Sequence, residues 1–254
     1  MADVLPLIKD VDVFILEADG KINADYGYGY LIAKRLATFN VKTQLVSLEK
    51  HSDKLAQLPN IPFFISGGMT EVTAEVEWVR EARTFLQETI RKNQENFPIK
   101  QQPIFGICFG AQIIAEAYRQ GSVEYLDEPE IGITQVTVDT PHPLFQGFKK
   151  KFPAYTFHYN QIKPCEDFSL LSLHRHRGHT FVQAFGIPKT LCFGVQFHPE
   201  LMYDEFQMLM KTYADLLRSL NQDVEQILKQ LPVIPTNAEL LYNFLHYTSL
   251  LEEG

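Results

Sequence analysis

The sequence predicts an α/β protein with a flavodoxin-like three-layer fold, in which helices cover a central, mostly parallel sheet and a small antiparallel layer lies beside it. An apolar segment at 11–16, an amphipathic segment at 28–39 and a second apolar segment at 41–48 form a β-α-β start. Such alternation is typical of parallel sheets. Between residues 131 and 196 the pattern changes to short alternating segments, which predict the antiparallel strands.

The middle of the chain continues this alternation. A buried apolar run at 61–65 stops at paired glycines. Residues 72–93 carry apolar side chains at helical spacing with Glu, Arg and Lys between them, which predicts a long surface helix. The polar stretch at 93–102, which contains Pro98, predicts a loop that leads to the apolar strand at 104–107.

Length and composition predict one large folded unit. A chain of 254 residues with 45% hydrophobic residues is long enough to bury a large core. We expect residues 1–230 to form the main domain and residues 231–254 to form a C-terminal helical extension packed on the same domain, because a Thr-Asn pair that suits an N-cap precedes a helical pattern. A second copy of the chain is the alternative surface for this helix and would give a homodimer.

Charge balance and cysteine content argue against several protein classes. The 31 acidic residues outnumber the 23 basic ones, which argues against nucleic acid and anionic membranes as partners. Three cysteines fit a reducing compartment better than a disulfide framework. The first residues lack the regions of a signal peptide and no later segment has the length of a membrane span, so we expect a cytoplasmic protein.

The segment Gly106-Ile107-Cys108-Phe109-Gly110 has the pattern of a nucleophile elbow, because an apolar strand runs through it directly into a helix. A residue on such a turn is strained, and its neighbours must be small since the helix passes over them. The partial positive charge at the helix N-terminus favours the nucleophilic thiolate of Cys108. The alternative interpretation is a buried structural cysteine in a core strand.

A histidine and a glutamate follow another short apolar strand. His198 and Glu200 come at the end of this run, and Pro199 between them stiffens the geometry. A catalytic thiol needs a base and a third group that fixes the tautomer of that base. An ordinary surface motif is the more frequent interpretation for His-Pro-Glu alone, but the preceding elbow favours the catalytic one.

The paired glycines Gly67 and Gly68 follow a third buried strand. Loops at the carboxyl ends of parallel strands are where open α/β sheets place their sites. Gly68 can therefore present a backbone N–H to a developing oxyanion, with the N–H of Phe109 as the second donor. A plain strand-to-helix turn is the alternative for a Gly-Gly pair considered alone.

These three motifs, in this order, resemble those of the class I glutamine amidotransferases. The similarity is carried by residues 106–112, residues 194–200 and the Ser-Gly-Gly segment at 66–68, and weaker similarity between them extends it over residues 11–215. Within that family the chain looks like the glutaminase domain of GMP synthetase.

The resemblance implies hydrolysis of the γ-amide of glutamine, or of a γ-glutamyl compound, through a glutamyl thioester. Cys108 would attack the carbonyl, His198 would shuttle the proton to the leaving amine, and Glu200 would orient His198. Gln112 and Gly67 would hold the substrate. No cofactor is implied, and the ammonia would pass to a separate synthetase subunit or be released by a free-standing hydrolase. A non-catalytic binding or regulatory module that keeps this fold is the alternative.

The chain departs from the family pattern at two positions. Met69 occupies the place of a common proline after the glycines, which predicts a flexible loop. Asn160 replaces an aspartate two residues after His158, so we expect His158 to be structural or part of the pocket wall. The histidine cluster at 174–179 has metal-like spacing, but it falls in a predicted hairpin without a completing ligand, so we expect no metal.

Overall fold

The computed structural model describes residues 8, 10–176 and 178–252, and this region is built on nine strands and eight α-helices. The strands are β1 (Val13–Glu17), β2 (Thr43–Ser47), β3 (Phe63–Ile65), β4 (Ile104–Ile107), β5 (Val123–Thr137), β6 (Lys151–Ile162), β7 (Ser169–His176), β8 (His179–Gly186) and β9 (Cys192–Val195). The helices are α1 (Tyr28–Ala37), α2 (Leu48–His51), α3 (Glu77–Asn96), α4 (Phe109–Tyr118), α5 (Tyr203–Thr212), α6 (Ala214–Ser219), α7 (Val224–Gln230) and α8 (Glu239–Glu252). Two short 3₁₀ helices lie at Ser52–Gln57 and Pro143–Phe145. In this part of the chain, no helix combines the length and the apolar composition needed to cross a membrane.

A seven-stranded sheet with the order β2-β1-β3-β4-β9-β8-β7 forms the centre. Neighbours from β2 to β9 are parallel, and β8 and β7 continue the sheet in antiparallel orientation. Strands β5 and β6 form a separate antiparallel pair. This arrangement confirms the predicted α/β fold class, a mostly parallel central sheet with a small antiparallel layer.

The antiparallel strands divide between the two sheets in a way that differs from the expectation. The alternating pattern from residue 131 to 196 predicts one subsidiary layer, but only β5 and β6 form it, and β5 begins earlier, at Val123. Strands β7 and β8 extend the central sheet because β8 pairs with β9 through Ala184 and Phe185. Alternation reports that a strand has two different faces, and it does not identify the strand with which it pairs.

The side chains of β1 alternate between two cores on opposite faces of the sheet. Phe14 and Leu16 face a cluster that includes side chains of α3 and α4. Val13 and Ile15 face a second cluster that includes side chains of α1 and α8. Because both faces of the sheet are covered, the parallel strands have continuous apolar sequences.

The long helix α3 differs from the prediction at both ends. Helical spacing predicts 72–93, but the helix runs from Glu77 to Asn96. Val72 is buried in a loop, and its carbonyl oxygen accepts a hydrogen bond of 3.0 Å from the Arg83 guanidinium. The helix ends before Pro98, since proline disfavours the helical conformation of the residue that precedes it.

The last helix, α8, fills a position in the second helical layer. The ring of Phe244 is fully buried and lies 5.4 Å from that of Phe64 on β3 and 5.2 Å from that of Phe105 on β4, measured between centroids. Leu240 and Leu241 are buried in the same cluster. Helix α8 therefore packs directly on the two strands that lead to the glycine pair and to the cysteine turn.

We predict that Phe244→Ala lowers the free energy of unfolding by about 3–5 kcal/mol, because truncation of a buried aromatic side chain leaves a cavity. Urea denaturation followed by circular dichroism measures this change. Ser249→Ala, on an exposed position of the same helix, is the matched control and should change the value by less than about 0.5 kcal/mol. A Phe244→Ala effect as small as that of the control would contradict the packing role of α8.

Candidate active site

Cys108 lies at the turn between β4 and α4 with a left-handed backbone, φ 52° and ψ −105°. Its N–H still continues the sheet, since it donates a hydrogen bond of 2.8 Å to the carbonyl oxygen of Val195 on β9. The helix begins at the next residue. Non-glycine residues rarely adopt positive φ, and they keep it only where the surrounding structure enforces it.

Gly106 and Gly110 permit the close approach of strand and helix at this turn. A Cβ on Gly106 would overlap the backbone of Gly110, and a Cβ on Gly110 would overlap the carbonyl oxygen of Ile65. The N–H of Gly110 donates a hydrogen bond of 3.1 Å to the carbonyl oxygen of Ser66, just after β3. The start of α4 is therefore fixed to the ends of two strands.

His198 and Glu200 form a fully buried pair after β9. Nδ1 of His198 donates to Oε1 of Glu200 over 2.7 Å, and the two residues are 1% and 0% exposed. The Tyr28 ring stacks on the imidazole at a centroid distance of 5.1 Å. Nε2 of His198 makes no hydrogen bond of ordinary geometry with a described residue. The ring is thus held by its Nδ1 edge and one face, and Nε2 is left available.

The electrostatic surroundings favour the charged form of His198. Burial disfavours an imidazolium, but the negative charges of Glu200 and Cys108 outweigh burial and raise the pKa of His198 to about 10. An effect of this kind requires opposite charges within a few ångströms, so Cys108 lies beside the imidazole. The two side chains can therefore share one proton as a thiolate–imidazolium pair.

Gly67 and Gly68 lie between the histidine and the cysteine turn. A Cβ on Gly67 would come within 3.1 Å of Cε1 of His198, and a Cβ on Gly68 would come within 3.1 Å of the Phe109 ring. Among the described residues, neither the N–H of Gly68 nor that of Phe109 donates a hydrogen bond to another group. Two backbone donors therefore remain available near Cys108.

A pocket of about 280 Å³ opens beside Cys108. Its lining comes from the loop after β3, the start of α4 and the end of β6, and consists of Gly68, Met69, Thr70, Cys108, Gln112, Phe157, His158, Tyr159 and Asn160. Nε2 of Gln112 donates to the carbonyl oxygen of Asn160 over 3.2 Å and to Oε1 of Gln196 over 3.1 Å. These bonds fix the Gln112 side chain in the pocket wall, one helical turn after Cys108.

A buried polar cluster supports the wall of this pocket behind His158. Glu130 on β5 accepts hydrogen bonds from His158 over 2.8 Å and from Gln183 over 3.1 Å. Burial raises the pKa of the Glu130 carboxyl, but hydrogen bonds from His158 and His174 outweigh it and hold that pKa well below its usual range. Nδ1 of His158 faces the carbonyl oxygen of Asn160 at 2.8 Å. His158 is therefore a fixed residue of the pocket wall.

The histidines of the β7–β8 hairpin face acidic side chains of β5. Nε2 of His174 lies 3.1 Å from Glu130, and Nε2 of His179 lies 3.1 Å from Asp127. The side chain of His176 lies outside the described residues. Within residues 8, 10–176 and 178–252, no three His, Cys, Asp or Glu side chains are grouped so that they could hold a metal ion.

Comparison with known proteins identifies the family. Residues 22–214 match the family described as glutamine amidotransferase class-I. The chain belongs to this family. Membership supports hydrolysis of the glutamine amide as the general activity of the site described above.

Curated relatives of this amidotransferase share one name. The chain is 26% identical over 190 residues to the glutamine-hydrolyzing subunit of GMP synthase from Methanococcus maripaludis, covering 74% of this chain and 90% of the relative. It is 25% identical over 179 residues to the protein of the same name from Saccharolobus solfataricus, covering 70% and 86%. A solved glutamine amidotransferase from Thermotoga maritima has a TM-score of 0.66 at 18% identity and covers 95% of this chain and 97% of its own, which supports the fold.

One feature of the amidotransferase site was not predicted from the sequence. Arg35 on α1 is buried, and its Nε donates to the carbonyl oxygen of Glu200 over 2.8 Å. Its guanidinium also forms an ion pair with Glu205. A signal was present, since Arg35 follows Leu31 by four residues and therefore falls on the apolar face of the helical pattern.

We predict that iodoacetamide modifies Cys108 of the native protein before the other two cysteines. Cys108 lies at a helix N-terminus beside an imidazolium, and both favour the reactive thiolate. Burial raises the pKa of Cys192 to about 11, and Cys165 lies 3.4 Å from the carboxylate of Asp167 instead of a cation. Mass spectrometry of peptides after brief labelling at pH 7 measures the order. Equal labelling of the three cysteines would contradict an activated thiol.

Proposed function

We propose that this chain hydrolyses the γ-amide of glutamine, or of a γ-glutamyl compound, through a glutamyl thioester on Cys108. The observation that carries the proposal is the strained Cys108 at the N-terminus of α4 beside the buried His198–Glu200 pair. A thiol, a base and a carboxylate that orients the base are the groups that nucleophilic catalysis requires. Family membership supports the glutamine amide as the bond that is broken.

In the proposed reaction, the thiolate of Cys108 attacks the γ-carbonyl carbon and negative charge develops on the carbonyl oxygen. The N–H groups of Gly68 and Phe109 bind this oxyanion. The imidazolium of His198 gives its proton to the nitrogen as the C–N bond breaks, and ammonia or an amine leaves. His198 then deprotonates a water molecule, which attacks the thioester carbon, and the acid product leaves as the Cys108 thiolate re-forms.

The remaining predicted site residues have supporting roles in this proposal. Glu200 keeps Nδ1 of His198 protonated, so that Nε2 is the nitrogen that exchanges protons with the substrate. Gln112 lines the pocket and offers polar atoms to the amino-acid part of the substrate. Gly67 leaves room for the imidazole, since a side chain at this position would press on His198.

We propose that the ammonia is received by a separate synthetase subunit. The relatives from Methanococcus maripaludis and Saccharolobus solfataricus are named as glutamine-hydrolyzing subunits, and this chain covers 90% and 86% of their lengths. These similarities support the same division of labour here, with the amide hydrolysed on this chain and the ammonia used on another. Release of free ammonia from γ-glutamyl compounds without a partner is the alternative outcome of the assays below.

We predict that Cys108→Ser lowers kcat for hydrolysis of glutamine or a γ-glutamyl amide by about 10³–10⁶, since loss of the nucleophile removes the covalent route. Ammonia release measures kcat, and circular dichroism verifies that the variant is folded. Cys165→Ser, which makes the same chemical change away from the pocket, should retain wild-type activity. A Cys108→Ser variant within tenfold of wild type would contradict the thioester mechanism.

We predict that Glu200→Gln narrows the pH range of activity from the alkaline side. In the wild type the Glu200 charge helps to raise the pKa of His198 to about 10, so the imidazolium persists up to that pH. Without this charge, burial lowers the pKa of His198 and the imidazolium is lost at a lower pH. The alkaline limb of the kcat/KM profile should therefore move to lower pH, and kcat should fall less than the about 10²–10⁴ expected for His198→Ala. An unchanged alkaline limb would show that Glu200 has another role.

A further inference from the structure

We propose that Asp19 is a positioning residue that holds the oxyanion loop, residues 67–70, in its working shape without help from another chain. The inference rests on the proposed function, because it concerns the loop that carries the Gly68 donor. Asp19 follows β1 and lies outside the three sequence motifs. Its side chain makes its hydrogen bonds to this loop.

The Asp19 carboxylate binds the part of the loop that follows the glycines. Oδ1 accepts the N–H of Met69 over 2.9 Å and the N–H of Thr70 over 3.2 Å. Oδ2 accepts the N–H of Thr70 over 3.1 Å and its hydroxyl over 2.7 Å. One carboxylate therefore satisfies two consecutive backbone donors and a side-chain donor, which fixes the direction in which the chain leaves Gly68.

The opposite side of the loop is fixed by other elements of the same chain. The hydroxyl of Tyr159 on β6 donates to the carbonyl oxygen of Met69 over 2.6 Å. Before the glycines, Oγ of Ser66 accepts the N–H of Ala18 over 3.0 Å, and its carbonyl oxygen accepts the N–H of Gly110. The glycine pair is thus held from both ends.

Gly68 itself has little space in which to turn. A Cβ at this position would come within 2.8 Å of Cβ of Ala18, 3.0 Å of Oδ1 of Asp19 and 3.1 Å of the Phe109 ring. The peptide is therefore enclosed by β1, by Asp19 and by the residue that carries the second donor. Its N–H keeps a constant position relative to the N–H of Phe109.

These contacts replace the rigidity that proline would give to the loop. Met69 in place of proline predicts flexibility, because the backbone gains freedom in φ. Three hydrogen-bond donors to Asp19 and one bond from Tyr159 restrict that freedom instead. Oxyanion stabilisation depends on donors that are already in place before the charge develops, so a loop ordered within one chain needs no docking partner.

The test compares Asp19→Ala, Asp19→Asn and Asp12→Ala in the full chain. Asp12 is the matched control, because its carboxylate also accepts a backbone N–H, that of Lys42 at 2.8 Å, but at the other end of β1. We expect Asp19→Ala to lower kcat by about 10–100-fold with KM changed less than about threefold, a part of the about 10²–10³ that loss of an oxyanion donor costs. Asp19→Asn keeps an acceptor for both N–H groups and should stay within about threefold of wild type, as should Asp12→Ala.

Alkylation of Cys108 by iodoacetamide separates loop positioning from general damage to the site. This reagent forms the S–C bond by displacing iodide from a saturated carbon, so no oxyanion develops and the loop is not used. The alkylation rate of Asp19→Ala should therefore equal that of wild type, whereas its kcat falls. A parallel loss of alkylation and kcat would overturn the positioning role, because it would show that the whole site is disturbed.

Each further outcome has a separate meaning. If the wild type hydrolyses its substrate and Asp19→Ala has the kcat of Asp12→Ala, the inference is wrong and the proposed function stands. If the wild type is active only after a partner-containing cell extract is added, the loop is not ordered by its own chain and the inference is also wrong. If the wild type hydrolyses neither glutamine nor γ-glutamyl amides under either condition, the proposed function fails and the inference fails with it.

Discussion

Cys108 holds a φ of 52°, and a conformation of this kind costs about 1–3 kcal/mol in a non-glycine residue. The neighbouring structure enforces it through the strand bond to Val195 and the close fit of Gly106 and Gly110 against the backbone. The same fit brings the N-terminus of α4 to the end of β3. One strained turn therefore positions the thiol and the Phe109 N–H, and it places the glycine loop within reach of both.

Buried charge is the second constraint, and it is met by pairs. Glu200 faces His198, and Arg35 faces Glu205, so each buried charge has an opposite partner. Removal of one member of such a pair leaves an uncompensated charge in the interior, which is strongly destabilising. Because Arg35 also binds the carbonyl oxygen of Glu200, the two pairs are joined into one unit. The chain can therefore keep a carboxylate at 0% exposure beside the cysteine.

Local sequence patterns predicted the elements of this fold and missed most of the contacts between them. Apolar runs identified the parallel strands, since both faces of the sheet are buried, but alternation left open whether β7 and β8 join the central sheet. Spacing alone also left open whether Cys108 and His198 meet, because they are far apart in the chain, and the family resemblance supplied that expectation. Asp19 carried no local signal. Its partners are backbone N–H groups of a distant loop, and a backbone donor looks the same in every sequence.

The packing of α8 has a consequence for the order in which the molecule can assemble. Strands β3 and β4 are synthesised in the first half of the chain, yet the Phe244 ring that covers Phe64 and Phe105 belongs to its last helix. Contacts between residues so distant in sequence close late and slow the folding of a domain. During synthesis these two strands expose one apolar face until the final turns leave the ribosome. The turn that carries Cys108 is thus supported from below only when translation is almost complete.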